Sequence, residues 1–322
     1  MIVENRISIV RLLSVIWLRL LVIAVVAIGT VAPLVYFELS RYAIDRSIPL
    51  IVGTAIAIFL GFRTNSAYER WWEARKLWGG ILNDSLNLGR LCRDLIGATD
   101  QSSLDETNDQ INPKSIAVLR EICYRQAAWA YVFDRELKDL PQDQSIEHLL
   151  EHEECELVKQ STDPALFLLL QQGDTIRRAF NDRQLDTFQV NLIQEKLSCL
   201  TGYMGACNRI KHTNFPTHYS YFTKVFVWIF LVLLGLSLPS DQGVESANTE
   251  FASYTVILAI ILIGWVFFMV DGIGEYMQSP FKNNRNVIPM KAISRKIEIG
   301  LGMTMSETDL PKPIEPIEGA LW

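Results

Sequence analysis

"FLGFRTNSAYERWWEARKLWGG", running from Phe59 to Gly80, decides how this chain is built. It begins as the end of an apolar run. Without a proline or a clear break it becomes a segment carrying Arg63, Glu69, Arg70, Trp71, Trp72, Glu73 and Arg75. A helix that only anchored the chain would need no such continuation. A helix that crosses a bilayer and runs on into a large polar body would.

The composition agrees with that reading. The 322 residues are 49% hydrophobic and 20% charged, and the mean hydropathy is +0.17. That is too apolar for an ordinary soluble protein and too charged for a wholly membranous one, and clustering of the apolar residues resolves the conflict. The net charge of -6 argues against a nucleic-acid partner. Five cysteines, Cys92, Cys123, Cys155, Cys199 and Cys207, show no CxxC spacing and read as buried or free thiols in a reducing compartment. The first apolar run follows Arg6, Arg11 and Arg19 with no secretory cleavage pattern, so it reads as a retained span.

A bilayer core takes roughly 20 apolar residues, somewhat fewer where flanking groups snorkel. Four uncharged runs qualify: Leu20 to Phe37, Ser47 to Phe62, Val225 to Ser240, and Phe251 to Val270. The second and third are short and suit protein-lined positions. Basic residues lie before Leu20, after Phe62 and after Val270. The loop between the last two runs carries Asp241, Glu245 and Glu250 and no Lys or Arg. Both termini and the central domain are therefore expected on the cytosolic (or stromal) side.

The expected fold is an all-α membrane protein with four spans and a helical cytosolic domain. Its regions are 1–62 (spans one and two), 63–220 (the cytosolic domain), 221–270 (spans three and four) and 271–322 (a cytosolic C-terminal segment). Within the middle, Ile116, Leu119, Ile122, Cys123, Gln126, Ala127, Ala130 and Phe133 recur at helical spacing. "LDTFQVNLIQEKLSCLTGYMGACNRI" repeats the pattern. A polar stretch from Ala98 to Lys114 reads as an exposed loop. The prolines of "LPKPIEPIEGALW" keep the tail extended.

On a helical wheel of Ser47 to Phe62, Ser47 is placed to cap and Pro49 sits in the first turn. Gly53, Ala57 and Gly61 form one stripe, a small-residue face that lets another helix approach. Thr54, Ile58 and Phe62 form the adjacent stripe. A pore-lining helix would show such a pair of stripes, with bulky rings gating by dewetting. Any packed membrane helix also shows small-residue stripes, with Ile and Phe toward lipid or core. The wheel alone leaves both open.

The stretch after this run resembles the signature of the bestrophin family. The matching residues are Phe62, Arg63, Asn65, Ala67, Tyr68, Glu69, Arg70, Trp71, Trp72, Glu73, Arg75, Trp78 and Gly79. A second match, "CNRIKHTNFPTHY", keeps Arg209, Thr213, Pro216 and Tyr219 but has Asn208 and Asn214 where the family has Glu and Pro. A third is Pro280-Phe281. The resemblance covers about residues 10 to 290. It implies a homopentamer around one central ion path, with Thr54, Ile58 and Phe62 as the neck and Thr54 the more polar outer member. It also implies a cytosolic aperture about halfway along the helix before "CNRI"; counting back from Pro216 gives Phe188. Trp71, Trp72 and Trp78 would supply rigid apolar area near a subunit interface, or would only anchor at the membrane surface.

Several sites are not expected. Animal bestrophins carry an acidic calcium-binding run after Pro-Phe; here the run is Lys282, Asn283, Asn284, Arg285 and Asn286, so no calcium clasp is predicted. His148 and His152, beside Glu151, Glu153 and Cys155, could hold zinc from one helix face, but a solvated acidic helix is commoner. No metal, cofactor or enzymatic motif is read. A passive channel for small ions leads. A membrane scaffold and a secondary transporter are the alternatives, the transporter opposed by the absence of an evident ionisable residue within the spans. For selectivity, the net negative charge favours cations, while Arg63 and Arg70 favour anions if they face the path. The family resemblance points to anions such as chloride. A prokaryotic inner membrane or a thylakoid fits.

Overall fold

The computed structural model describes residues 9–37, 42–96, 113–213, 217–237, 249–282 and 288–316. Among these residues it is helical, with no strand. The helices are α1 (Ile9–Tyr36), α2 (Ser47–Leu95), α3 (Pro113–Leu137), α4 (His152–Gln160), α5 (Pro164–Asn181), α6 (Thr187–His212), α7 (Thr217–Ser237), α8 (Thr249–Met277) and α9 (Met290–Thr304). The expected loop at 98–114, the acidic residues Asp241 and Glu245, the Asn214 and Pro216 positions, the run after Lys282 and the last tail residues fall largely or wholly outside the described residues.

Among the described residues four helices are long and apolar enough to cross a membrane by length and composition: α1, α2, α7 and α8. Helix α2 has 49 residues, about 73 Å at 1.5 Å per residue. That exceeds a hydrocarbon core of roughly 30 Å by more than a factor of two, so the charged stretch after Phe62 continues the same helix. Its start differs from expectation. The Asp45 carboxylate, rather than the Ser47 side chain, takes a first-turn amide, accepting from the Ser47 N–H at 2.7 Å.

The chain divides into two compact units. One contains residues 4–71 and 214–279, the other 72–213 and 280–322. The division falls at Trp71/Trp72, inside α2. Apart from Gly89, beside Leu88, the buried positions of α2 follow an alternating four–three rhythm: Pro49, Gly53, Ile56, Leu60, Arg63 and Ala67, then Ala74, Trp78, Ile81, Ser85, Leu88 and Cys92. Half-buried Trp71 adds one extra four-residue step between the two series. Such a step shifts a heptad seam around the helix, and it coincides with the boundary between units.

In the first unit, α1, α7 and α8 pack on one another around Ile23, Ala27, Val31, Val227, Leu231, Ile260 and Phe268, joined by Ile56 and Leu60 of α2. Gly264 lets α8 approach closely, since a Cβ there would come within 3.0 Å of both Ile23 and Leu231. Only 22–33% of each apolar window is buried within the chain. The remaining apolar surface needs lipid or another subunit to cover it. Helix α8 continues past the expected end at Val270 to Met277, through Asp271.

In the second unit, α3 is the central helix, packed by α5, α6 and α9. It is buried around its whole circumference from Ile122 to Asp134 apart from half-buried Tyr124, as an enclosed helix must be. Several polar groups on or against it are paired, although Gln126 Oε1 and Trp129 Nε1 have no partner among the described residues. Gln126 donates to Ser85 Oγ at 2.9 Å, Gln172 donates to the Ile122 carbonyl at 2.9 Å, and Ser294 donates to the Ala130 carbonyl at 3.0 Å. The C-terminal segment thus contributes a core helix, α9. Helix α6 starts with a capping box between Asp186 and Gln189.

Candidate functional site

Helix α2 within the first unit has one buried and one exposed face. Thr54, Ile58 and Phe62 lie on the exposed face, with Ile58 56% and Phe62 68% accessible. Thr54 donates its hydroxyl hydrogen to the Leu50 carbonyl at 2.8 Å. Its one donor is therefore used, and its free lone pairs only accept. Gly53 faces the other way: a Cβ there would meet the Phe230 ring of α7 at 2.6 Å. Ala57 is exposed, and a side chain built on Gly61 would meet open space. Of the three small residues, Gly53 is the one against another helix of this chain.

The motif after Phe62 alternates sides. Asn65, Tyr68, Glu69, Trp72 and Glu73 are exposed, while Arg70, Trp71 and Arg75 are partly buried. Phe62 and Glu69 are seven residues apart, within about 20° on a helix, so Glu69 continues the Phe62 face. Its Oε1 accepts from the Asn65 amide at 2.9 Å. Trp78 departs from the expected interface role. It is fully buried and stacks on Phe133 of α3 at 5.9 Å and 15°, because its position falls on the buried seam of the second unit.

Arg63 does not face the exposed stripe. Its side chain is 1% accessible and is paired with Asp271 of α8, also 1%. The guanidinium also donates to Ser220 Oγ of α7 at 3.0 Å. With its amide oxygen turned toward Arg63, Gln278 accepts from Nε and NH2 at 3.1 and 3.2 Å. The expected spans themselves still hold no ionisable residue, but a buried ion pair lies directly at the ends of the second and fourth. The signal was present: Arg63 directly follows the second uncharged run and Asp271 directly follows the fourth.

Phe188 lies in the first turn of α6, not halfway along it, and is 70% accessible. His148 and His152 do not share a helix, because α4 begins at His152. His148 Nε2 instead lies 2.7 Å from Glu298 Oε1. Glu298 Oε2 accepts from the Tyr131 hydroxyl at 2.6 Å. Burial and that carboxylate push the Tyr131 phenol well above its ordinary range. Among the described residues no group of His, Cys, Asp and Glu is arranged to hold a metal ion.

A family model described as bacterial/fungal bestrophin protein matches residues 5–302. The chain belongs to the bestrophin family. It is 30% identical over 266 residues to the Escherichia coli (strain K12) voltage-dependent anion channel-forming protein YneE, covering 83% of this chain and 79% of that one. It is 27% identical over 275 residues to the voltage-dependent anion channel-forming protein alr2987 of Nostoc sp. (strain PCC 7120), covering 84% and 81%. The solved structure of a bacterial bestrophin homolog from Klebsiella pneumoniae shares its fold with a TM-score of 0.78 at 24% identity, covering 91% of this chain and all of that one. Bestrophin membership accounts for the long motif after Phe62 and for the all-helical membrane architecture.

Proposed function

We propose that this bestrophin is an anion channel, a homopentamer passing small monovalent anions such as chloride through a neck lined by Thr54, Ile58 and Phe62. The observation that carries it is the outward face of α2. A charge-free stretch of a membrane helix turns Ile58 and Phe62 away from its own bundle, which is the surface a central path needs. The names of the E. coli and Nostoc relatives support the anion preference. Both termini and the second unit lie on the cytosolic side, following the basic flanks of the spans, in a prokaryotic inner membrane or a thylakoid. A cytosolic aperture at Phe188 is supported by the exposure of its ring, and not by its first-turn place in α6.

A second reading, a cation channel of the same fold, is favoured by one observation. Arg63 is neutralised by Asp271 and turned inward, whereas Glu69 is exposed on the Phe62 face. Purified protein in planar bilayers under asymmetric KCl separates the readings. A reversal potential near that of chloride supports the first. One near that of potassium, moved toward chloride by Glu69→Gln, supports the second. Silence under all voltages tried would favour a membrane scaffold over both.

A further inference from the structure

The Arg63–Asp271 pair is the most unusual group in the membrane unit. Both side chains are 1% accessible, among helices whose cores are mainly Ile, Leu, Val, Ala and Phe, with the uncharged Thr223 and Ser237 also buried. Asp271 Oδ2 is also buried and has no hydrogen-bond partner among the described residues. A buried pair with one carboxylate oxygen left over adds little stability over an apolar pair of similar volume. What it supplies is direction. Ile56 and Leu60 tolerate small rotations of α2, because apolar contact is non-directional. The guanidinium does not, since it is held to Asp271, to Ser220 on α7 and to Gln278 just past the end of α8. Phe62 is the adjacent residue, about 100° around the helix. A rotation of α2 that brought Phe62 inward would pull Arg63 off all three partners.

We propose that Arg63 and Asp271 are positioning residues that set the rotation of α2 and so hold the Phe62 ring in the ion path. The inference rests on the channel reading for its consequence in current, but its geometric core does not. Compensated pairs test it, since a lone Asp271→Asn leaves a buried guanidinium uncompensated and confounds positioning with folding. The variants are the swap Arg63→Asp/Asp271→Arg and the apolar double Arg63→Met/Asp271→Leu. For labelling, each is made with Phe62→Cys in a Cys199→Ser background; for current, each keeps Phe62; both sets are compared with the native pair. Assembly is read by size exclusion, the direction of position 62 by its rate of modification with a water-soluble maleimide in liposomes, and gating by open probability in bilayers.

The expected result is that the apolar double assembles at native yield, yet its position-62 modification rate and open probability each change by at least about threefold, a change an apolar core replacement would not otherwise cause. The swap restores the modification rate toward the native value. The proposal is overturned if the apolar double labels and conducts as the native pair does. It is also overturned if the apolar double fails to assemble while the swap assembles, since the pair then serves stability. If no form conducts, the native pair included, the channel reading fails while the labelling rates still decide the positioning claim.

Discussion

The two halves of α2 are built from one unbroken helix and follow opposite rules. From Ser47 to Trp71 large apolar side chains lie on both faces: Ile56 and Leu60 are buried, Ile51 and Phe62 are both 68% accessible, and the charged Arg63 is inside at 1%. From Trp72 to Leu95 the order is conventional: Trp78, Ile81 and Leu88 are fully buried, and Arg90 and Asp94 pair on the surface at 62% and 53% accessibility. The backbone is the same in both, so the difference comes from the medium. Lipid or a second apolar surface makes outward Ile and Phe acceptable, and makes an inward charge acceptable only when it is paired. The extra four-residue step at Trp71 lets one helix serve both.

The contrast yields predictions of decreasing size. Trp78→Ala, on the inward seam of the second half, should cost about 3–5 kcal/mol, read as loss of thermal stability of the purified protein. A loss below about 1 kcal/mol would mean that the Trp78–Phe133 stack is not a core contact. Gly53→Leu should force the Phe230 ring aside and cost about 1–3 kcal/mol. Gly61→Leu, two turns along on the open side, should change subunit folding by less than about 0.5 kcal/mol; equal effects of the two would erase the distinction between the faces.

Phe62→Ala should also leave subunit stability within about 0.5 kcal/mol, since an exposed ring packs on no core. It should raise current several-fold by wetting an apolar collar without changing ion preference. Unchanged current together with reduced assembly would place Phe62 at a subunit contact instead.

The smallest expected effect concerns thiols. Burial, and secondarily the Glu307 carboxylate, pushes the Cys123 thiol up to about 12. Burial, with Glu73 nearby, does the same for Cys207, again to about 12. Cys199 is only partly buried. Brief labelling of native protein with maleimide at neutral pH should therefore modify Cys199 first, since the thiolate is the reactive form. Mass spectrometry showing Cys123 or Cys207 labelled earlier would mean that the second unit opens readily.

The sequence was sufficient for everything governed by local pattern and by medium. Uncharged runs marked the four membrane helices because hydrocarbon excludes unpaired charge. The absence of a breaker between Phe59 and Gly80 marked one continuous helix, because backbone hydrogen bonds persist in both media. A rare string of aromatic and charged residues after Phe62 marked the family. Only the tertiary structure decided direction. Trp71, Trp72 and Trp78 look alike in sequence, yet Trp78 alone is enclosed, because its place on the α2 seam meets α3. Arg63 read as a cation free to face a path, until a partner 208 positions away in the chain neutralised it. His148 and His152 read as neighbours on a helix, until the helix began at the second of them. In each case the deciding contact lies far along the chain or depends on where a helix starts, and side-chain periodicity carries information about neither.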